Sequence, residues 1–130
     1  MNLIRRETTD KVLRAFFDVY NELGYGFLEN IYQRALAHRL RLFGADVQLE
    51  AGIDVIFDDV VIGQYRADLI VDHNVLIEIK TARRIVQDHQ TQLLHYLKST
   101  RIEVGMLLNF GERPEFKRMI FTNDAKDSRG

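Results

Sequence analysis

The stretch Tyr65–Lys80, YRADLIVDHNVLIEIK, constrains the chain more than any other. Its apolar residues lie on either side of the polar triplet Asp72-His73-Asn74, the pattern of two strands joined by a short turn. A turn centred on His73 sets the register: Val71 opposite Val75, Ile70 opposite Leu76, Leu69 opposite Ile77, and Asp68 opposite Glu78. Every apolar residue then meets an apolar one, and two acids face each other. Directly opposed strand residues have Cβ atoms about 5 Å apart, where like charges repel. A positive charge is expected between them. Side chains alternate across a strand, so Glu78 and Lys80 share one face while Ile77 and Ile79 point into a core.

Two carboxylates and a lysine in this arrangement suit a hard divalent cation, because Mg²⁺ takes one or two carboxylates together with waters and phosphate oxygens. Lys80 beside it could orient an attacking water or offset charge on a phosphodiester transition state. The plainer reading is a hairpin with a solvated polar face, and an Asp followed nine residues later by Glu-x-Lys is a short pattern.

Composition narrows the surroundings of such a site. A chain of 130 residues is expected to form one domain, residues 1–130. The absence of Cys excludes disulfides and thiolate metal sites, and four scattered His residues make no zinc pattern. There is no apolar leader and no run long enough to span a bilayer, so a cytoplasmic protein with no membrane partner is expected. A net charge of −1 is not the footprint of a strong nonspecific nucleic-acid binder. Contact with nucleic acid would rely on local basic patches or on metal.

In chain order, residues 1–6 read as a frayed leader. A helix capped by Thr8 or Thr9 then runs to Leu23, with Val12, Phe16, Val19 or Tyr20, and Leu23 at helical spacing and Gly24 as the stop. A glycine-flanked turn leads to a second helix ending near Phe43-Gly44, with Leu28, Ile31, Tyr32, Ala35, Leu36 and Leu40 as its expected buried stripe. Glu29 lies near the inward side of that helix. It either favours the helix macrodipole or adds a ligand to the metal.

The period then alternates. Val47–Glu50 and Ile53–Phe57 read as strands, Asp58-Asp59 as a turn, and Gly63 as a possible bulge before the strand bearing Asp68. A third helix runs from Val86 or Gln87 to Ser99 and places His89, Gln92 or Leu93, and Tyr96 on one face, with Leu94 and Leu97 directed inward. Gln92 and Tyr96, four apart, can converge on a phosphate or a coordinated water; the alternative is an amphipathic helix with a snorkelling Tyr. Residues 103–109 read as a central strand, 115–121 as a final strand, and the chain from about Thr122 as a polar disordered tail. The order α, α, β-strands, α, β, β implies an α/β fold of the α+β kind, a mixed sheet flanked by helices with the hairpin supplying polar groups to a cleft at its edge.

With these pieces in order, the chain resembles the GxxExxY family, assigned to the PD-(D/E)XK nuclease-like superfamily. The resemblance rests on Gly26-Phe27-Leu28-Glu29-Asn30-Ile31-Tyr32 within GYGFLENIYQRAL, on Gly63–Leu69, on Glu78-Ile79-Lys80, on QLLHYLKST from Gln92 to Thr100 and on VGMLLNFG from Val104 to Gly111. It implies a restriction-endonuclease-like mixed β-sheet core in which Asp68 and Glu78 bind Mg²⁺ or Mn²⁺ with the backbone carbonyl of Ile79, and Lys80 positions or activates the water. It further implies that Glu29 matches the acidic residue on an early helix of RecB-like exonucleases, that Gln92 and Tyr96 match their QxxxY motif, and that His89 matches a recurring family histidine. Ala67 stands where the superfamily usually has Pro. Arg83-Arg84 matches no family feature and reads as a solvated loop in preference to a phosphate clamp.

Two functions compete. One is a metal-dependent nuclease hydrolysing phosphodiester bonds, in DNA in preference to RNA, with an oligomer or a partner protein as a further expectation. The other is a non-catalytic nucleic-acid- or protein-binding module on a nuclease-like fold, because fold does not fix function.

Overall fold

The computed structural model describes residues 4–128, so residues 1–3 of the expected leader and 129–130 of the expected tail lie outside the described residues. The elements are α1 (Arg6–Leu23), α2 (Glu29–Leu42), β1 (Val47–Phe57), β2 (Val60–Val71), β3 (Val75–Lys80), α3 (Gln87–Lys98), β4 (Val104–Phe110), β5 (Pro114–Ile120) and α4 (Asn123–Ser128). The strands form one sheet in the order β1-β2-β3-β4-β5, parallel between β3 and β4 and antiparallel elsewhere. A parallel pair needs a crossover, and α3 supplies it. Helices α1 and α2 pack on one face of the sheet and α3 on the other. This is the mixed, helix-flanked sheet that the order of periodicities implied.

Helix α1 buries Val12, Ala15, Phe16 and Val19, an apolar stripe at helical spacing. It begins at Arg6, before the expected cap, and the Thr9 hydroxyl donates back to the Arg6 carbonyl (3.1 Å) instead of capping. Helix α2 buries Tyr32, Leu36 and Leu40 as expected and also Ala37, which was not in the expected stripe, but two residues of that stripe are exposed, Leu28 at 75% and Ile31 at 40%. Leu28 is the N-cap, with extended backbone, and so does not share the helix's periodicity.

The two expected strands 47–50 and 53–57 form one, β1. The β1/β2 register slips between Val55↔Gly63 and Ile56↔Val61, so Ile62 is an extra residue next to Gly63, the bulge anticipated there. Asp58 and Asp59 both take positive φ (51° and 61°), as a two-residue hairpin turn that matches strand twist requires.

Strand β4 is buried along its whole length. On α3 the buried pair is Leu93 and Leu97, with Leu94 half-buried rather than directed inward. Leu93 fits because Gly105 opposite it has no side chain: a Cβ there would sit 2.8 Å from Leu93 Cδ1. Where a disordered tail was expected from about Thr122, the chain forms α4. Lys126 Nζ donates to the carbonyls of Thr100 (2.9 Å) and Ile102 (2.7 Å), and Asp127 pairs with Arg101 (2.8 Å). Polar composition does not preclude order when the preceding loop offers unpaired carbonyls.

Candidate metal and substrate site

The β2–β3 hairpin has the register derived from its turn over Val71↔Val75, Ile70↔Leu76 and Leu69↔Ile77. Asp72, in that turn, accepts from the Asp46 N–H (2.9 Å) and from the Thr8 hydroxyl (3.2 Å), which ties the hairpin to α1. At the fourth position the ladder opens. The carboxylates replace the missing backbone bonds: the Asp68 N–H donates to Glu78 Oε2 (3.0 Å), and the Ile79 N–H donates to Asp68 Oδ2 (2.7 Å). The amide N–H and carbonyl of one strand residue point the same way, so the Ile79 carbonyl is directed to the side of β3 where these acids lie.

Glu78 is buried, 6% exposed. Burial, then the charge of Asp68, pushes its pKa up to about 8, while Lys80 pulls in the opposite direction. Among the described residues, no Lys, Arg or His forms an ion pair with either acid. The expected repulsion is therefore present, and a side-chain cation does not resolve it.

Tyr65 and Tyr96 close one side. Their rings stack at 3.6 Å between centroids, 14° from parallel, and the Tyr65 hydroxyl donates to the Tyr96 carbonyl (3.1 Å). Both phenols are held above their ordinary pKa, first by burial and next by the charge of Glu78, so both rings lie within the field of the acid. On the other side, buried Gln33 of α2 donates from Nε2 to the Asp68 carbonyl (2.9 Å) and fixes the acid's backbone.

Of the residues singled out from sequence, Asp68, Glu78, Ile79, Lys80 and Tyr96 come together here. Glu29 is exposed at the first position of α2, one turn before Gln33 on the same helix face. Among the described residues no group of three or more His, Asp or Glu side chains is gathered to hold a metal. Gln92 is exposed one turn before Tyr96 on α3. His89 is half-buried, and its Nδ1 accepts the Val86 N–H (3.2 Å) at the start of α3, a helix-capping contact. Two carboxylates joined by a backbone carbonyl are an all-oxygen donor set, the kind a hard divalent cation takes.

Three residues of this region were not singled out. Gln33 carried a signal, being a polar side chain four residues after Glu29 inside an apolar helix stripe. Tyr65 alternates with Ala67 in the motif next to Asp68. Asn109 is the one polar side chain of the apolar strand β4; it is fully buried and bonds both the N–H (2.9 Å) and the carbonyl (3.0 Å) of Ala82, which clamps the chain just after Lys80.

Comparison with curated proteins gives no significant match. Among solved structures, the crystal structure of SSO0001 is similar, with a TM-score of 0.54 and 25% identity over 77% of this chain and 54% of that one. The chain thus spans about half the length of that protein, and the shared part is consistent with a restriction-endonuclease-like fold. The family profile described as the PD-(D/E)XK nuclease superfamily matches residues 6–119, from the first turn of α1 to the end of β5. An acidic pair at the opening of a hairpin, on a sheet with this topology, is thereby given a lineage: the chain belongs to the PD-(D/E)XK nuclease superfamily.

Proposed function

We propose that the protein is a metal-dependent nuclease that hydrolyses phosphodiester bonds, with DNA as substrate. The observation that carries this reading is the pairing of half-buried Asp68 with buried Glu78, brought together where the β2/β3 ladder opens, with no ion pair to either acid among the described residues. Asp68, Glu78 and the Ile79 carbonyl would hold Mg²⁺ or Mn²⁺, with Glu29 on the adjacent helix face as an outer contributor. The cation supplies charge stabilisation for the reacting phosphodiester and activation of the attacking water.

The chain's own residues do the rest. Lys80, on the Glu78 face of β3, orients the water and offsets negative charge as it builds on the phosphate oxygens. The Tyr96 hydroxyl and the Gln92 amide, one helical turn apart, donate to the substrate phosphate. Gln33 and Asn109 are positioning residues; one anchors the backbone at Asp68 and the other the backbone after Lys80. His89 orders the start of α3 with Nδ1 and leaves Nε2 for substrate.

The Gly26, Glu29, Tyr32 spacing supports placement within the GxxExxY family. Gly26 takes φ +111°, and the Tyr32 hydroxyl donates to the Gly24 carbonyl (2.7 Å), so the motif builds a fixed turn ahead of Glu29. Among the described residues no helix is long and apolar enough to cross a membrane, which fits the cytoplasmic setting proposed here. Assembly with a second copy or a partner protein is part of the same proposal.

A second reading, a binding module without catalysis, is favoured by one observation. The carboxylates of Asp68 and Glu78 already satisfy backbone N–H groups and so have a structural use. Calorimetry with Mn²⁺ and a cleavage assay on labelled DNA separate the two. The nuclease reading expects saturable Mn²⁺ binding and metal-dependent cleavage, both lost in Asp68→Asn, which keeps an acceptor for the Ile79 N–H. Absence of Mn²⁺ heat from the wild-type protein would favour the binding module.

A further inference from the structure

Beyond the ends of β3 and β4 lies a cleft of about 410 Å³ that the catalytic reading does not use. One wall is the α1–α2 loop with Tyr25 and Phe27, the floor is Phe110 and Gly111, and the far wall is Ala82 and Arg83. Its size is within the range of small-ligand pockets, about 300–1,000 Å³. The walls are fixed while their aromatic faces stay open.

The Tyr32 hydroxyl accepts the Phe27 N–H (3.2 Å) as well as donating to Gly24, so it pins both ends of the loop. The Phe27 ring stands edge-on to Tyr32 (6.0 Å), which stacks on Phe110 (4.2 Å), which in turn meets Phe16 edge-on (4.8 Å). Across the cleft, Gly111 runs so close to Ala82 that a Cβ would lie 2.4 Å from its carbonyl oxygen. Even so, Tyr25 is 59% and Phe27 47% exposed. Large apolar side chains on a pinned loop do not gain from such exposure unless a flat partner covers them.

We propose that this cleft is a base-stacking subsite for an unpaired nucleotide of the substrate strand. Tyr25 and Phe27 present π-faces to the base, and Arg83 pairs with its phosphate. The inference rests on the nucleic-acid reading of the neighbouring site and deepens it by naming a substrate class. Bases within a duplex have both faces already stacked, so the occupant is a single-stranded or frayed nucleotide. Arg83 follows Lys80 by three residues, a reach of at most about 10 Å. At roughly 3.4 Å per nucleotide in a stacked helix, and more in an extended single strand, the subsite lies no more than about three nucleotides from the phosphate that Lys80 would address. An arginine on one rim and aromatic rings on the other match the two parts of a nucleotide, one anionic and one flat and uncharged, and Glu112, which also lines the cleft, leaves Arg83 as the rim that takes the phosphate.

The test is fluorescence anisotropy with labelled oligonucleotides in EDTA, where binding does not depend on metal or on turnover. The wild-type protein is expected to bind a single strand or a tailed duplex more tightly than a blunt duplex. Tyr25→Ala with Phe27→Ala is expected to lose about tenfold or more of the affinity for the tail and leave blunt-duplex binding as it was. Tyr25→Phe is expected to keep the affinity, since it keeps the ring. Arg83→Ala is expected to weaken binding and reduce its salt dependence by about one phosphate contact. If the double variant fails to fold, Tyr25→Ser alone serves, because that side chain is mostly outside the core.

Equal affinity for tailed and blunt DNA in the wild type, no binding of either, or unchanged tail affinity in the ring-less variants overturns the proposal. Asp68→Asn, run in parallel with Mn²⁺, reports on the catalytic reading alone. Undiminished cleavage there together with loss of tail binding in the ring-less variants would remove the catalytic assignment and keep the subsite.

Discussion

The two ends of β2 invert the usual rule of burial. At its start, Val60, Val61 and Ile62 stand more than half exposed together with Ile56 and Phe57 of β1, while near its end the carboxylate of Glu78 is buried against Asp68. The difference follows from what each end has for neighbours. The β2/β3 ladder covers only Leu69–Val71, so the β1–β2 hairpin projects beyond β3 with no strand beside it. The other end of β2 lies between α2, through Gln33, and α3, through the Tyr65–Tyr96 stack. Apolar residues in water and acids out of water both cost free energy. At the acid end the cost follows from bringing two carboxylates together beside packed helices. Among the described residues no third strand pairs with the hairpin tip.

The sharpest way to break this contrast is at the acids. Asp68→Asn, Glu78→Gln and Lys80→Ala are each expected to lower metal-dependent cleavage by about 10²–10³-fold or more, as loss of one electrostatic group from a preorganised site does. Release of label from a DNA substrate measures it, and wild-type rates in these variants would leave the acidic pair without a catalytic meaning.

Next in size is the packing behind the acids. Leu93→Ala, which empties the space that Gly105 leaves open, is expected to cost about 2–5 kcal/mol in urea unfolding. A cost near zero would show that α3 is not needed to enclose this face.

The buried acid also predicts a pH dependence. Glu78 has a folded-state pKa near 8, above the value of about 4.3 for an unfolded glutamate, so between those values the folded protein binds the extra proton. Stability from this group is therefore full below about pH 4, falls as pH rises toward 8, and levels off above it. Thermal melts of metal-free protein should follow this slope, Glu78→Gln should flatten it, and Mn²⁺ should raise the melting temperature more at pH 8 than at pH 5. A Mn²⁺ effect independent of pH would contradict binding at Glu78.

The smallest effects belong to the hairpin tip. Ile56→Ser and Ile62→Ser are expected to change monomer stability by no more than about 0.5 kcal/mol. A much larger loss, growing with protein concentration, would mean that this surface is covered by a second copy.

Much of this was legible in the residues themselves. The alternation around Asp72-His73-Asn74 set a register that holds at three consecutive pairs, and a strand has only two faces, so Glu78 and Lys80 had to share one. Leu28 was misplaced because it caps the helix and so does not share the periodicity of its interior. The polar sequence after Thr122 gave no sign that unpaired carbonyls at Thr100 and Ile102 would recruit Lys126 into an ordered helix. The second miss has its cause in contact with a segment distant in the chain.

Sequence alone therefore determined the local periods, the hairpin register and the identity of the acidic pair with its lysine, because each depends on residues within a turn or a strand of one another. Tertiary structure alone decided that the ladder opens at Asp68, that Gln33 and Asn109 hold the backbone on either side, and that Tyr65 stacks on Tyr96. Burial and charge coupling arise from elements that meet only after the sheet has closed between its helices, and no local spacing encodes them.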